Sequence, residues 1–423
     1  MDRRDFIGGA SASGILLLNA RTAFGYEANS AVRLGLLGCG NRGTTVATSF
    51  AKNTSARIVA LADLFPDQLA AGKAHFDEVN RSLGVPGIDE KLMFHGSRAY
   101  EELAASSSVD AIQISTPPWF HVQHLEAAVS AGKHAYCEKP LGVDVAQTQH
   151  ALEIGKRAEG RLSLDVGFQV RSAPPIAEVV RRIHAGDIGR VAAITAHYFA
   201  PNAVSHTGSG WSPDEFRLRN WLWDRVLSGD ILVEQNIHVI DLCNWILQSH
   251  PIKATATGGR SVIRHAGDCW DNYQVIYTYP NDVHLSFSST QWGNSGWFNV
   301  TEQIFGETGI AEAPYSGPVR IVGDKAWAWS DNESQGSGTP AAQFAANGAF
   351  TDNLQFADRE KGRAFIESIM SGKFHNQAAD GVQSALSAML GRMAGRTRQA
   401  VTWDELLQNG ERYTMNIDMS QFR

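Results

Sequence analysis

Residues 31–43 read AVRLGLLGCGNRG, a short apolar run that is followed by glycines at positions 38, 40 and 43. A strand that ends in GxGxxG and leads into a helix is the order found where a dinucleotide binds. The first glycine permits a tight turn, the second lets the backbone approach a pyrophosphate, and the third allows the helix to pack closely on the strand. Phosphates then lie at the helix N-terminus. We therefore expect cofactor contacts from Gly38, Gly40, Asn41, Arg42 and Gly43.

A second apolar run, residues 58–62, ends in Asp63, about 20 residues after the last glycine of the motif. A carboxylate at this distance can accept hydrogen bonds from the hydroxyls of the adenosine ribose. The next residues are Leu64, Phe65 and Pro66, so no Arg or Lys follows to meet a 2′-phosphate. The sequence therefore predicts NAD rather than NADP.

The alternation of apolar runs and helical stretches continues to about residue 150. Residues 110–118 read as a buried strand that closes in a Pro-terminated loop, and residues 120–131 read as a helix that stops at Gly132. A further short strand then leads to Glu138-Lys139-Pro140. This pattern predicts a doubly wound parallel sheet of the Rossmann type over residues 31–150, with ligands beyond the carboxyl ends of its strands. The further cofactor contacts expected at those ends are Ser115, Thr116, Pro117, His121, Glu138 and Lys139.

The first residues resemble a twin-arginine export signal. Arg3-Arg4 precedes a weakly apolar run from Ile7 to Leu18, and small residues follow it. We therefore assign residues 1–25 to a signal peptide and expect a periplasmic or otherwise exported protein; the alternative is a frayed N-terminus. This signal also implies export of a folded chain that already holds its cofactor.

Residues 151–423 are predicted to form an α+β domain with a large open sheet. Alternating strands are expected at 191–199, 253–263, 272–279, 283–291 and 297–305, and most of them should pair antiparallel. Late helices are expected at 359–370 and 378–395, with apolar faces suited to packing back on the sheet. Two long excursions, 202–219 and 331–348, interrupt the pattern.

Composition excludes several classes of protein. The chain has 423 residues, is 43% hydrophobic and carries a formal net charge of −7. It lacks the ~18 consecutive apolar residues of a membrane span and the basic cluster of a nucleic-acid-binding protein, so neither membrane insertion nor nucleic acid is expected. The four cysteines show no CxxC spacing, which argues against a zinc finger. Among 11 tryptophans, Trp221 is a candidate wall for a sugar, since aromatic faces pack against apolar sugar faces.

Taken together, these motifs resemble the Gfo/Idh/MocA family of sugar-oriented NAD(P)-dependent oxidoreductases. The resemblance extends to residues 229–241, GDILVEQNIHVID, which are similar to the family's substrate-domain helix. It implies that Lys139 and His238 face the nicotinamide and the reacting hydroxyl. It also implies a carbohydrate substrate and a homo-oligomer, a dimer or a tetramer, that forms through the C-terminal sheet. The sequence departs from many members at Glu234, where Asp is common, and at Asn236, where Gly is common.

The residue chemistry supports a catalytic site. On one continuous helix, Glu234, His238 and Asp241 would share a face, because residues three and four apart are neighbours. A histidine can take the hydroxyl proton, and Lys139 can polarise the same oxygen or accept the proton itself; the sequence leaves open which of them is the base. The three residues could also ligate a cation, but no second cluster completes a shell, so no metal is expected. Further substrate contacts are expected from Gln169, Arg171, Trp221 and Asp241.

Three functions are consistent with these features. The leading one is hydride transfer between a tightly bound NAD, recycled in place, and a carbohydrate hydroxyl or keto group. The alternative is an NAD-dependent glycoside hydrolase of the same family, which would act by transient oxidation, elimination and re-reduction. The third is a sensor that binds sugar or cofactor without turnover.

Overall fold

The computed structural model describes residues 31–201, 205–264, 267–292, 298–330 and 352–423. The predicted signal peptide at 1–25 and the excursion at 331–348 lie outside the described residues. The described chain forms one parallel sheet and one mostly antiparallel sheet. Within these ranges no helix is both long enough and apolar enough to cross a bilayer.

The first sheet is the predicted Rossmann sheet. Its strand order is β3-β2-β1-β4-β5-β6, and every neighbouring pair is parallel. It ends at Val166, beyond residue 150, where the sequence placed the end of the first domain. The elements in chain order are β1 (Arg33–Leu37), α1 (Asn41–Asn53), β2 (Arg57–Asp63), α2 (Pro66–Ser82), β3 (Met93–His95), α3 (Ala99–Ala105), β4 (Ala111–Ile114), α4 (Pro118–Ser130), β5 (His134–Cys137), α5 (Val145–Ala158) and β6 (Leu164–Val166).

Helices cover both faces of this sheet, which explains why its central strands are buried along nearly their whole length. Every residue of β4 is buried, and only the first residue of β1 and of β5 is not. Each strand ends in a loop at the same edge, so the loops after β1, β2, β4 and β5 lie side by side. This edge is where the sequence predicts the cofactor.

The second sheet has nine strands in the described part of the chain, in the order β14-β13-β12-β11-β7-β10-β9-β8-β15. All pairs are antiparallel except β7 with β10, so the predicted mostly antiparallel sheet is confirmed. The elements are α6 (Pro174–His184), β7 (Val191–Ala200), α7 (Pro213–Arg219), α8 (Arg225–Ser228), α9 (Ile231–Glu234), α10 (Ile237–Leu247), β8 (Lys253–Gly259), β9 (Asn272–Thr278), β10 (His284–Gln291), β11 (Asn299–Gly306), β12 (Gly309–Glu312), β13 (Arg320–Gly323), β14 (Trp327–Ala328) and β15 (Val401–Thr402).

The last helices return to the first sheet. These are α11 (Ala357–Ser371), α12 (Ala378–Thr397) and α13 (Trp403–Asn409). Phe365 of α11 packs edge-on against Phe50 of α1 and Tyr136 of β5, and a buried ion pair joins Lys361 of α11 to Asp165 of β6. The chain's C-terminal quarter thus completes the core of its N-terminal sheet.

Candidate active site

The glycines after β1 have the geometry of a pyrophosphate loop. Gly38 has a φ of +95°, and a Cβ there would lie 2.6 Å from the carbonyl oxygen of Ser115. A Cβ on Gly43 would lie 2.0 Å from the carbonyl oxygen of Gly38, so helix and strand pack at the closest approach. A Cβ on Gly40 would meet nothing within 4 Å. The middle glycine therefore borders open space, and α1 begins beside it at Asn41 with no side chain capping its N–H groups.

Asp63 ties the loop after β2 to the glycine loop. Its Oδ2 atom accepts the Cys39 N–H at 2.7 Å, and its Oδ1 atom accepts the Phe65 N–H at 2.9 Å. Burial raises the pKa of this carboxyl group, and these two bonds oppose the shift. The side chain thus fixes both loops that would hold an adenosine ribose, and its carboxylate oxygens retain lone pairs to accept further bonds. Open space at Gly40 and an acid beside it fit a dinucleotide.

Arg42 is engaged by two carboxylates. Its Nε atom donates to Glu138 at 3.0 Å, and its Nη atoms donate to both oxygens of Asp358 at 2.7 and 2.8 Å. Burial raises the pKa of Glu138. Two predicted cofactor contacts therefore pair with each other, and Asp358 at the start of α11 joins them to the C-terminal quarter.

Lys139 pairs with Glu234 across the two domains. Its Nζ atom donates to the Glu234 Oε1 atom at 2.8 Å and also to the Glu234 carbonyl oxygen, and both side chains are nearly nine-tenths buried. The Lys139–Pro140 peptide bond is cis. An ammonium has three N–H groups, so one remains for a substrate oxygen. Lys139 therefore lies after β5 in a fixed orientation, with one N–H group that has no partner among the described residues.

His238 lies in the same region on α10. Its side chain is 8% exposed, and its Nδ1 atom has no hydrogen-bond partner among the described residues. The ring stands edge-on to Phe168, with centroids 6.1 Å apart. Burial, followed by the charges of Lys139 and Arg42, lowers its pKa well below the ordinary value. The imidazole is therefore neutral near pH 7 and has a lone pair available.

The expected single helix carrying Glu234, His238 and Asp241 is wrong. Helix α9 ends at Glu234 and α10 begins at Ile237, so Gln235 and Asn236 interrupt it. This break lets the Glu234 carbonyl oxygen turn to Lys139, where a continuous helix would have used it internally. Glu234 therefore contacts Lys139, and no hydrogen bond between Glu234 and His238 is present in the described chain.

Asp241 and Arg171, both predicted substrate contacts, form an ion pair with two parallel hydrogen bonds of 2.8 Å. Asp241 is 1% exposed and also accepts from the Ser384 hydroxyl at 2.7 Å, while Arg171 reaches Asp380. This network joins α10, α12 and the segment after β6. Within the described ranges, no three His, Cys, Asp or Glu side chains are placed to hold a metal ion.

Buried amides surround the Lys139 and His238 segments. The side-chain oxygens of Gln169, Gln235 and Asn236 are buried and accept no hydrogen bond from the described residues. Buried polar atoms are almost always paired, so these three are candidates to meet a polar ligand. Gln169 was predicted from its position after β6. Gln235 and Asn236 were not, and the only signal for them was their place beside Glu234.

His121 holds the loop after β4 against the loop after β5. Its Nδ1 and Nε2 atoms lie 2.8 and 2.7 Å from the carbonyl oxygens of Pro140 and Thr116. Burial lowers its pKa to about 4. Ser115 accepts a hydrogen bond from Gln113 at 3.0 Å. His121 thus positions the predicted Thr116-Pro117 contact, and both ring nitrogens are occupied by the protein itself.

Trp221 lies in an apolar cluster beside the loop after β2. The cluster has Phe120, Leu218 and Leu227 at its centre. The partly buried residues packed around this centre come from the loop after β2, from α4, from the turn after α7 and from residues 411–423: Leu64, Phe65, Trp119, Trp221, Met415, Ile417, Met419 and Phe422.

The sequence matches two family models over most of the described chain. Residues 32–166 match the model "Oxidoreductase family, NAD-binding Rossmann fold", and residues 176–312 match "GFO/IDH/MocA C-terminal domain". The chain belongs to the Gfo/Idh/MocA family. The predicted family, the NAD-binding domain and the oxidoreductase class are thereby confirmed.

Relatives of this chain include inositol 2-dehydrogenase of Rhizobium meliloti, 28% identical over 69% of this chain and 78% of that protein. Myo-inositol 2-dehydrogenase of Thermotoga maritima is 22% identical over 89% of this chain and all of that protein. Among solved structures, a levoglucosan dehydrogenase in complex with NADH and levoglucosan is 18% identical, with a TM-score of 0.67 over 88% of this chain and 99% of that one. The structural likeness confirms the predicted fold class, a parallel Rossmann sheet with a second, mostly antiparallel sheet.

Proposed function

We propose that this protein transfers a hydride between bound NAD and a hydroxyl or keto group of a carbohydrate or cyclic polyol. The observation that carries the proposal is that two groups lie in one buried region: the ammonium of Lys139, which Glu234 fixes, and the imidazole of His238, whose pKa is lowered by burial and then by the charge of Lys139. The names of the relatives, which act on inositols and levoglucosan, support a polyhydroxylated ring as substrate.

The residues divide the chemistry in a definite way. Lys139 donates its free N–H to the reacting oxygen and holds it in place, while Glu234 fixes the ammonium. His238 accepts the hydroxyl proton, because its imidazole is neutral and its Nδ1 atom is unpartnered within the described chain. NAD, when bound, supplies the hydride acceptor. Loss of the O–H proton to His238 and of the C–H hydride leaves a carbonyl group, so protons and electrons balance.

The glycine loop and Asp63 would hold the cofactor. Backbone N–H groups at the start of α1 suit a pyrophosphate, and the space beside Gly40 admits it. Asp63 is suited to accept from the adenosine ribose hydroxyls. The buried side-chain oxygens of Gln169, Gln235 and Asn236 accept no hydrogen bond within the described chain, and they are suited to bind the hydroxyls of a sugar ring.

Export is part of the proposal. Residues 1–25 are proposed to direct the folded protein through the twin-arginine route, so the enzyme would work where no free NAD pool is expected. The cofactor would then stay bound and be recycled by oxidising one substrate and reducing another. Arg3→Lys with Arg4→Lys should leave the protein in the cytoplasmic fraction of its host, and unchanged export would refute this assignment.

One experiment tests the catalytic proposal against the glycosidase alternative. Purified protein is incubated with inositols, sugars and aryl glycosides, and both NADH absorbance and aglycone release are followed. We expect NADH formation with a cyclic polyol or sugar and its loss in Lys139→Ala, which should still bind NAD. Aglycone release without net NADH formation would favour the glycosidase. If the protein binds NAD but neither NADH formation nor aglycone release is detected, the result would favour a sensor.

The outer face of the second sheet is the proposed oligomer surface. Ile276 of β9, Ile310 of β12 and Val322 of β13 are large apolar side chains that are exposed there. Exposed apolar groups on one face favour association of copies. Light scattering should report a dimer or tetramer that Ile276→Lys weakens, and a monomeric wild-type protein at micromolar concentration would contradict the proposal.

A further inference from the structure

Residues 411–423, which we call the C-terminal strap, have no regular secondary structure up to Asp418 and then form a single 3-10 turn at Met419–Gln421. From Tyr413 to Met419, every second side chain is partly buried and the ones between are exposed. Such alternation places one face of an extended chain on the protein. The inward side chains Met415, Ile417 and Met419 join the apolar cluster around Trp221.

Hydrogen bonds fix the strap along its length. Near its start, the Tyr413 N–H donates to Asp144 at 2.7 Å. In its middle, Arg217 of α7 donates to the Met415 carbonyl oxygen at 3.1 Å. At its end, the Ser97 N–H, in the loop after β3, donates to the Phe422 carbonyl oxygen at 2.7 Å. The strap therefore runs from the loop after β5 to the loop after β3.

The end of the strap lies on the residues that follow the ribose acid. The ring of Phe422 packs edge-on against Phe65, with centroids 5.9 Å apart and an interplanar angle of 89°. Phe65 is two residues after Asp63 and donates its N–H to that carboxylate. A Cβ placed on Gly40 would have no protein atom within 4 Å. The strap therefore does not fill the space beside the glycine loop.

Arg219 of α7, in the second domain, also contacts Phe65. Its guanidinium carbon lies 3.9 Å from the ring centroid of Phe65 and 4.8 Å from that of Trp211. It also donates to both carboxylate oxygens of Asp67, at the start of α2, at 2.9 and 3.0 Å. A guanidinium that stacks on aromatic rings and donates two hydrogen bonds to one carboxylate is held in a fixed position. We call the strap and Arg219 together the adenosine cover.

We propose that the adenosine cover retains the adenosine half of NAD and makes release of the cofactor slow. The cover reaches the loop after Asp63 from two directions, through Phe422 and through Arg219, and both meet at Phe65. Release from that end requires the strap to lift from the apolar cluster. The inference rests on the proposed function, in which a retained NAD is recycled, and it assigns that retention to residues outside the glycine loop.

The test measures cofactor release rather than turnover. NADH is bound to the full chain, chased with excess NAD, and followed by its fluorescence in a stopped-flow instrument; NAD retained after gel filtration is the second measurement. Phe422→Ala keeps the backbone bond to Ser97 but removes the ring, and Arg219→Ala removes the second anchor. Each should speed NADH release at least tenfold. Thr414→Ala, on the exposed side of the strap, is the matched control and should leave the rate unchanged.

The outcomes are distinct. Release rates unchanged in both Phe422→Ala and Arg219→Ala would overturn the inference, as would variants that bind NADH more tightly, since the strap would then obstruct the site. If Arg219→Ala fails to fold, Arg219→Lys, which keeps the charge but loses the fork, should give an intermediate rate. Wild-type protein that binds no NAD or NADH would instead refute the proposed function.

Discussion

The glycines of the phosphate loop offer a paired test, because the structure separates their roles. In Gly43→Ala, the new Cβ would lie 2.0 Å from the Gly38 carbonyl oxygen, whereas real Cβ atoms essentially never approach closer than 3.0 Å. The two backbones must therefore part by at least 1.0 Å. Overpacking of this kind costs about 1–3 kcal/mol, and Ala regains up to ~1 kcal/mol of helix propensity. We expect a net loss of about 1 kcal/mol in the free energy of unfolding of the cofactor-free protein.

Gly40→Ala should behave in the opposite way. Its Cβ meets no protein atom within 4 Å, and the backbone at position 40 is extended with a φ of −72°, so the fold accepts it. Replacing a glycine N-cap with Ala costs about 1 kcal/mol or less. The methyl group would, however, point into the space assigned to the pyrophosphate. We expect NAD binding to weaken at least tenfold, about 1.4 kcal/mol.

Urea unfolding of the cofactor-free variants and calorimetric titration with NAD provide the two readouts. The expected result is a crossed pattern, with Gly43→Ala less stable and Gly40→Ala stable but poor at binding. Gly259→Ala, at the end of β8 in the second sheet, has no positive φ and its Cβ would also meet nothing within 4 Å, so it is the control for replacing an unhindered glycine. If Gly40→Ala bound NAD as the wild type does, the assignment of the phosphate site would be wrong.

Three further predictions concern the charged and titratable groups. Glu234→Gln, which removes the charge that fixes Lys139, should lower kcat at least tenfold in an NADH assay, and Glu234→Asp should recover part of it; an unaltered kcat in the Gln variant would contradict the role. Arg171→Leu leaves a buried aspartate without its cation and should lower the free energy of unfolding by about 3 kcal/mol, and a loss under ~1 kcal/mol in urea would exclude a structural role for the pair. His121 has a pKa of about 4 when folded and an ordinary value of 6.5 when unfolded, so the unfolded chain binds the extra proton and stability should fall as pH drops from 6.5 to 4. The slope is about 1.4 kcal/mol per pH unit for this group, and His121→Gln should show a shallower decline.

The sequence predicted what local patterns determine. Glycine spacing, the apolar run before Asp63 and the alternation of strands and helices specify the first sheet and its loop edge, because each is a property of a few neighbouring residues. The second sheet followed from period-two patterns in the same way.

Longer-range relations were not predictable. The pairing of Lys139 with Glu234 spans 95 residues, and that of Arg42 with Asp358 spans 316. The sequence did not predict the helix interruption at Gln235 and Asn236, because an argument from residue spacing assumes a continuous helix. The strap shows an alternating pattern in its sequence, but such a pattern does not reveal which distant surface it covers.

The return of α11 to the first sheet has a consequence for the order of folding. Phe365 and Ile366 of α11 belong to the same buried cluster as Phe50 and the apolar residues of β1. When the chain has been synthesised up to residue 166, all six parallel strands are present, but the side chains of α11 that cover one flank of the sheet are not. A fragment ending at Val166 should expose that flank and aggregate, and adding residues 352–423 in trans should restore its solubility. We therefore expect the nucleotide-binding domain to reach its full stability only after α11 has been synthesised.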